Sequence, residues 1–184
     1  MTVHAPVTMT KEAFLAWVEQ REERYELAGG RVVMMVHVTW NHAVVTSNLL
    51  VALKTRLRRE EYDAVSEAFA VDVRDSLRFP DILVQRRPKD GKALEASEPI
   101  LIAEVLSPGT QHIDFGDKFR EYMSLPTLEI YMIVSPDEPS VWLWQRAGGD
   151  FPQNPEIYEK LHQRFSLPAL QVEIPLAELY QGVS

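Results

Sequence analysis

Acidic residues stand in apolar segments at three places in the middle of the chain. Glu67 interrupts an alternating segment, Asp81 lies inside the segment 78–85, and Glu104 lies inside the apolar run 100–106. An ionised carboxylate is costly to bury without a partner, and neither of the last two segments offers a lysine or arginine from its interior. A bound divalent cation would neutralise two or three acids together, and Mg²⁺ (or Mn²⁺) prefers oxygen ligands. The pattern therefore predicts a hard-metal site; the alternative is that the acids lie at strand ends, reaching solvent or helix N-termini.

The amino-acid composition excludes several kinds of functional site. The chain has 184 residues and no cysteine, which excludes disulfides, cysteine-ligated zinc, iron–sulfur clusters and a thiol nucleophile. With 46% hydrophobic and 25% charged residues, it is expected to form one globular domain over residues 1–184. Neither a leader-like amino terminus nor a run of about 20 apolar residues is present, so a cytoplasmic protein without membrane contact is expected. The net charge of −8 argues against a generally basic surface but leaves room for a local basic patch.

Basic residues are dense at two places, and these form the predicted nucleic-acid-binding set. One group ends the helix that begins near residue 41, and the other follows the strand after Asp81. The set consists of Lys54, Arg56, Arg58, Arg59, Arg86 and Arg87, with Lys89 and Lys92 nearby. The alternative is a solvated helix end and a solvated loop, because a helix C-terminus favours cations without any ligand.

Histidine and tryptophan give weaker signals. His37 and His42 are five residues apart, which fits neither the helical pairing of zinc ligands nor strand alternation. The four tryptophans are interpreted as core or interface aromatics rather than as base-stacking platforms. They are Trp17, Trp40, Trp142 and Trp144.

Alternating helix and strand patterns surround these residues and predict an α/β fold of the α+β mixed-sheet type. Helices are expected at 10–21, from 41 to about 59, at 114–124 and at 175–180. Val45, Leu49 and Leu53 make the clearest helical stripe, at i+4 spacing. A hairpin is expected at 25–27 and 31–36 around Gly29-Gly30, and strands at 64–74, 78–85, 100–106, 129–135 and 140–146. Asp114 is expected to cap the third helix.

The order of these segments and motifs resembles the PD-(D/E)XK superfamily of restriction-endonuclease-like proteins, and more narrowly its Uma-two family of bacterial restriction endonucleases. The residues that carry the resemblance are Tyr25-Glu26-Leu27 with Gly30, His42, Pro80-Asp81, Glu104 to Pro108, Asp114, Lys118 and Tyr122. The resemblance implies a restriction-endonuclease-like core, with a central mixed β-sheet flanked by helices and an added N-terminal helix and hairpin.

The resemblance also implies roles for individual residues. Asp81 and Glu104 would be catalytic metal ligands, the backbone carbonyl of Val105 a further ligand, and Glu67 a candidate extra one. The superfamily motif expects a lysine two residues after the glutamate, where this chain has Leu106. Lys118, on the following helix, is expected to supply the missing positive charge that orients the attacking water and offsets charge on the phosphorus.

Accessory positions follow from the same resemblance. Glu26 is expected near the metal cluster, although a lone acid beside a hairpin needs no function. His42 would contact phosphate or metal, although a histidine at a helix start is more often structural. Asp114 and Tyr122 are further accessory candidates.

The function expected from residues and resemblance together is a Mg²⁺- or Mn²⁺-dependent endonuclease acting on nucleic acid, with DNA as the expected form and a homodimer as a candidate assembly. Two alternatives remain open. The missing lysine at position 106 favours a degenerate member that only binds, and the acidic net charge favours a metal phosphoesterase acting on smaller substrates.

Overall fold

The structure is a computed structural model that describes residues 8–35, 37–66, 69–88, 90–107 and 115–184. Of the predicted site residues, Glu67 and Asp114 lie outside the described residues, as does Lys89 of the basic group. The helices are α1 (Lys11–Val18), α2 (Trp40–Arg56), α3 (Asp117–Tyr122) and α4 (Leu176–Leu179), with a 3-10 turn at Pro168–Leu170. The strands are β1 (Tyr25–Ala28), β2 (Arg31–Met34), β3 (Tyr62–Ser66), β4 (Val71–Val73), β5 (Ser76–Arg78), β6 (Ile82–Arg86), β7 (Pro99–Val105), β8 (Ile130–Val134), β9 (Val141–Gln145), β10 (Glu156–Tyr158), β11 (Arg164–Leu167) and β12 (Val172–Pro175).

A six-stranded mixed sheet, in the order β10-β9-β8-β7-β6-β3, organises the fold. Strands β7 and β8 run parallel, with Leu101 opposite Ile130, and the other neighbours are antiparallel. Every residue of β7 and β8 is buried because apolar layers cover both faces of the sheet. This mixed sheet flanked by helices confirms the predicted fold class.

Helix α2 covers one face of the sheet with the stripe that the sequence indicated. Val45, Leu49 and Leu53 are fully buried, against Ala103 and Val105 of β7 among others. Burying each such side chain contributes about 1.5–3 kcal/mol relative to leaving it exposed. The stripe therefore fixes α2, and the residues at its start, relative to the strand that carries Glu104.

A second sheet contains four strands in the order β2-β1-β5-β4. Gly29 and Gly30 join β1 and β2 with φ angles of 54° and 75°, the positive values that a type I′ hairpin turn requires at both central positions. Strand β5 leaves this sheet at Arg78, and only Phe79, Pro80 and Asp81 separate it from β6 of the central sheet.

Two segments that were each expected to form one strand contain parts of two strands instead. Residues 64–74 contain β3 and β4, and residues 78–85 contain the end of β5 and most of β6, in both cases strands of different sheets. Asp81 therefore stands in the bend ahead of β6 and not inside a strand. Alternation predicted the buried side correctly, because Val65, Phe69 and Val71 pack on the same apolar cluster.

Helix ends also differ from the expected ones. Thr10 is the N-cap of α1, where its hydroxyl accepts a hydrogen bond from the Ala13 N–H at 3.3 Å, but the helix ends at Val18. Helix α3 is shorter than expected, and its fully buried residue is Tyr122, whereas Phe115 is 40% exposed. Trp40 is 73% exposed, so of the two expected roles, core or interface aromatic, the core role is excluded for this residue.

Candidate active site

Asp81 is held at the point where the chain enters the central sheet. Its Oδ2 accepts a hydrogen bond of 2.7 Å from the backbone N–H of Val105, at the carboxyl end of β7. The same oxygen lies 3.3 Å from Nε2 of His42, which projects from the first turn of α2. Among the described residues no donor contacts Oδ1, and the side chain is 15% exposed. Asp81 is thus held through one oxygen, by the Val105 N–H and by its contact with the His42 ring.

The position of His42 follows from a local sequence signal. Thr39 is the N-cap of α2, and its hydroxyl accepts a hydrogen bond of 3.2 Å from the His42 N–H. The Thr46 hydroxyl donates to the His42 carbonyl at 2.8 Å and lies 3.5 Å from Nδ1 of the ring. These contacts direct the buried ring toward Asp81.

Glu104 is buried near the end of β7, on the opposite face of the sheet from α2. Its Oε1 accepts a hydrogen bond of 2.9 Å from the hydroxyl of Tyr122 and lies 3.1 Å from Nζ of Lys118, both on α3. Burial, together with the carboxylates of Glu104 and Glu26, raises the pKa of the Tyr122 hydroxyl well above its ordinary value, so it remains a donor. The side chain of Lys118 is only 11% exposed, which brings the two opposite charges together away from bulk water.

The strand register brings the two acids to one end of the sheet. Ile82 pairs with Ala103 across β6 and β7, so the next step of the antiparallel register sets Asp81 opposite Glu104. His42 approaches this end from the α2 layer, and Lys118 approaches it from the α3 layer.

Leu106 occupies the position where the superfamily motif has lysine, and its side chain is buried in an apolar cluster with Leu128 and Ile133. An ammonium group there would lose its hydration, which is costly without a full set of partners. Lys118 brings its charge to Glu104 from the covering helix instead.

A buried arginine joins this site to the second sheet. Nη1 of Arg78 lies 2.8 Å from Oε1 of Glu26, and its Nε lies 2.7 Å from Oε2 of Glu121 on α3. Ser76 donates a hydrogen bond of 2.7 Å to the other oxygen of Glu121. Burial opposes the charge of Arg78, but the hydrogen bond to Glu121 and the charge of Glu26 outweigh it and raise the pKa of the guanidinium.

Sequence reasoning missed Arg78 and Glu121. Glu26, an accessory candidate expected near the metal cluster, pairs with Arg78. One signal was available in the sequence: Arg78 stands between the apolar residues Leu77 and Phe79. Its two acid partners are 52 and 43 positions away in the chain, so no short-range pattern identifies them.

An open cleft of about 620 Å³ borders Asp81. Its walls come from the segment before β1 and the segment between β2 and α2. The lining residues are Glu22, Glu23, Arg24, Met34, Met35, His37, Val38 and Asp81. A substrate approaching Asp81 would enter through this cleft.

The predicted basic residues lie away from this end of the sheet. Lys54 is twelve residues after His42, about 18 Å along α2, and Arg86 is four residues after Ile82, about 13 Å along β6. Most of them pair with acids: Lys54 and Arg87 with Asp63, Arg58 and Arg86 with Glu61, and Arg56 with Glu178. Arg59 contacts the Lys54 carbonyl. The structure does not bring these residues to Asp81 and Glu104, and their role in binding nucleic acid stays a prediction.

Burial opposes the negative charge of Asp63, but the hydrogen bond and charge of Lys54 outweigh it and lower the pKa of this carboxyl. Asp63 therefore remains ionised and neutralises part of the basic group around it.

The donor chemistry at the sheet end fits a hard divalent cation. In the part of the chain that the structure describes, no group of three or more histidine or acidic side chains is arranged around one point. Mg²⁺ does not require such a cage, since it is commonly held by one or two carboxylates together with waters and substrate phosphates. Asp81 and Glu104 supply two carboxylates. Because the N–H and C=O of an extended residue point to the same side, the Val105 carbonyl is directed toward Asp81 as well.

Comparisons with known proteins place these residues in a family. The family model for Uma2, described as "Putative restriction endonuclease", matches residues 11–177. Uncharacterized protein slr1290 of Synechocystis sp. (strain ATCC 27184 / PCC 6803 / Kazusa) is 28% identical, with 100% of both chains covered. Uncharacterized protein sll1609 of the same organism is 29% identical, with 80% of this chain and 86% of that protein covered.

A solved structure shows the same fold. The crystal structure of a "putative nuclease belonging to DUF820" from Anabaena variabilis ATCC 29413 matches with a TM-score of 0.76 at 16% identity, covering 96% of this chain and 99% of that one. Among the described residues no helix is both long and apolar enough to cross a membrane. The family match, which spans most of the chain, supports a nuclease-like function, and the chain belongs to the Uma2 family of restriction-endonuclease-like proteins.

Proposed function

We propose that this protein is a divalent-metal-dependent endonuclease that hydrolyses phosphodiester bonds in DNA, with Asp81 and Glu104 as the ligands for Mg²⁺ or Mn²⁺. One observation carries the proposal: Asp81 is hydrogen-bonded to the backbone of Val105, the residue after Glu104, and Glu104 is paired with Lys118. Two acids and one lysine therefore lie at one end of the central sheet, and one of them, Asp81, borders an open cleft.

The residues around the acids have different roles in the proposed reaction. A divalent cation at such a site polarises a phosphoryl oxygen and lowers the pKa of a nearby water. His42 and the Val105 N–H hold Asp81 through its Oδ2, which leaves Oδ1 as the oxygen available to a metal ion. The Val105 carbonyl is a candidate third oxygen ligand. Positioned groups of this kind avoid the cost of reorganisation during the reaction.

Lys118 is proposed as the positive group that acts on the phosphate. Its ammonium is held 3.1 Å from Glu104 and is largely shielded from water, where a charge interacts more strongly than in bulk solvent. In this position it can hold the attacking water and offset the negative charge that develops on the phosphorus. DNA as the substrate is supported by the description of the family.

The test combines metal titration with a cleavage assay. Mn²⁺ binding to wild type, Asp81→Asn and Glu104→Gln is measured by calorimetry, and nicking of supercoiled plasmid is followed with Mg²⁺ or Mn²⁺. Both variants should lose metal binding and nicking together. Glu173→Gln is the matched control, because this exposed glutamate pairs with Arg164 on the separate β11–β12 hairpin.

Three results would count against the proposal. Full Mg²⁺-dependent nicking by Asp81→Asn would remove this residue from the metal site. Metal binding by the wild type without cleavage of any DNA would favour a binding protein, and cleavage limited to small phosphodiesters would favour a phosphoesterase.

A further inference from the structure

In the described part of the chain, the buried Arg78 of the second sheet pairs with Glu26 and Glu121 and with neither Asp81 nor Glu104, and Glu121 belongs to the helix that carries Lys118 and Tyr122. We propose that Arg78 is a positioning residue, which clamps Glu121 of α3 to Glu26 of β1 and thereby holds Lys118 and Tyr122 against Glu104. The consequence for catalysis rests on the proposed function, whereas the clamp itself does not.

Helix α3 needs an external support of this kind. It spans only Asp117–Tyr122, and its N-cap Gly116 provides no side-chain hydrogen bond. A helix of six residues is far below the roughly 12–15 residues at which isolated helices become marginally stable in water, so tertiary contacts decide where it lies.

Those contacts come from two sides. Phe119 packs edge-on against Trp144 at a centroid distance of 5.0 Å and against Tyr131 at 6.0 Å, which ties α3 to the central sheet. Glu121 uses both carboxylate oxygens on the second sheet, one on Ser76 and one on Arg78. Apolar packing alone permits small rotations of a short helix, whereas a carboxylate with two directed partners fixes its rotation.

The spacing along α3 transmits this restraint. Glu121 lies three residues after Lys118 and directly before Tyr122. A change in the rotation of the helix that released Glu121 would therefore move both side chains that contact Glu104. A rotation that shifts Lys118 by about 1 Å is enough to matter, because such misplacement of a catalytic group can cost about 100-fold in rate.

Arginine is required at position 78 by the geometry of its partners. Nε and Nη1 of one planar guanidinium point at acids from two different elements, with distances of 2.7 and 2.8 Å. A lysine carries its charge on one compact ammonium group and does not reproduce this fork. Arg78→Lys therefore preserves the charge but loosens the connection.

The first variants to compare are Glu121→Gln and Arg78→Lys. Glu121→Gln removes one charge, keeps the side-chain shape and still offers a carbonyl oxygen to Ser76. Glu178→Gln is the matched control, because it breaks an Arg–Glu contact of 2.8 Å between Arg56 and Glu178, on α2 and α4.

Two readouts report on α3 without requiring nuclease activity. Amide hydrogen exchange of residues 117–123 should speed up by about tenfold or more in both variants, while residues 101–105 and 130–134 keep wild-type protection. The Lys118 amine should react several-fold faster with an acetylating reagent, as quantified by mass spectrometry. The control should change neither value.

Cleavage supplies the third readout. Both variants should lower the turnover number about tenfold or more with little change in KM, since the displaced groups act on the reacting phosphate. Unchanged exchange and unchanged Lys118 reactivity would overturn the clamp, as would uniformly faster exchange in the whole sheet, which indicates only lost stability. If the wild type cuts no DNA, the proposed function fails, and exchange and labelling still decide whether Arg78 positions α3.

Discussion

The hydrogen bond from Tyr122 to Glu104 allows a sharp test of how the buried acid is stabilised. Tyr122→Phe keeps the aromatic ring in its fully buried place and removes only the hydroxyl that donates to Oε1 of Glu104 at 2.9 Å. Hydrogen bonds to charged groups contribute about 1.5–3 kcal/mol to stability. We expect the free energy of unfolding to fall by about that amount, because the carboxylate is buried and keeps only part of its set of donors.

The assay is urea unfolding followed by tryptophan fluorescence, with the thermal midpoint as a second measure. For a protein of this size, each kcal/mol corresponds to about 2–4 °C, so the midpoint should fall by roughly 3–12 °C. The slope of free energy against urea should not change, since the surface exposed on unfolding is nearly the same. Tyr158→Phe is the matched control: it removes a hydroxyl that donates to Glu156 at 2.6 Å on the exposed edge strand β10, and it should cost less than about 1 kcal/mol.

A loss below about 0.5 kcal/mol in Tyr122→Phe, or an equal loss in both variants, would refute this reasoning. Either result would mean that burial of Glu104 does not make its hydrogen bond stronger than one at the surface.

Three further outcomes are expected elsewhere in the molecule. Leu53→Ala should lower the free energy of unfolding by about 2–5 kcal/mol in urea melts because this side chain is fully buried, whereas the exposed Val51→Ala should change it by less than about 0.5 kcal/mol. Because the folded-state pKa of Asp63 is lowered, the stability that Asp63 contributes is complete above its ordinary pKa of 3.8 and is lost as the pH falls below that value. Asp63→Asn should therefore lose less stability than wild type when the pH is lowered. Equal losses of stability in acid melts would contradict the lowered pKa. If Arg86 and Arg87 contact phosphates, changing both to Gln should reduce the slope of log binding constant against log salt by about 2, and an unchanged slope would exclude the contact.

Local signals in the sequence determined much of the framework. The i+4 stripe of Val45, Leu49 and Leu53 predicted α2, and Gly29-Gly30 predicted the first hairpin. The residues on either side of Glu104 are all apolar, and this pattern predicted a central strand. Each depends on neighbours within one or two turns or on strand alternation, so the chain itself carries the information. The resemblance to restriction-endonuclease-like proteins rested on the order of such signals, and the family match confirms it.

Only the tertiary structure decided how the charges are distributed. Arg78 joins residues from β1 and α3, and most of the basic residues predicted to bind nucleic acid pair with acids in the folded chain. Whether a charge meets an opposite charge or a free surface depends on which strands become neighbours, because Coulomb energies depend on distance in space and on burial. Sequence spacing determines neither quantity for residues more than 40 positions apart, such as Arg78 and Glu121.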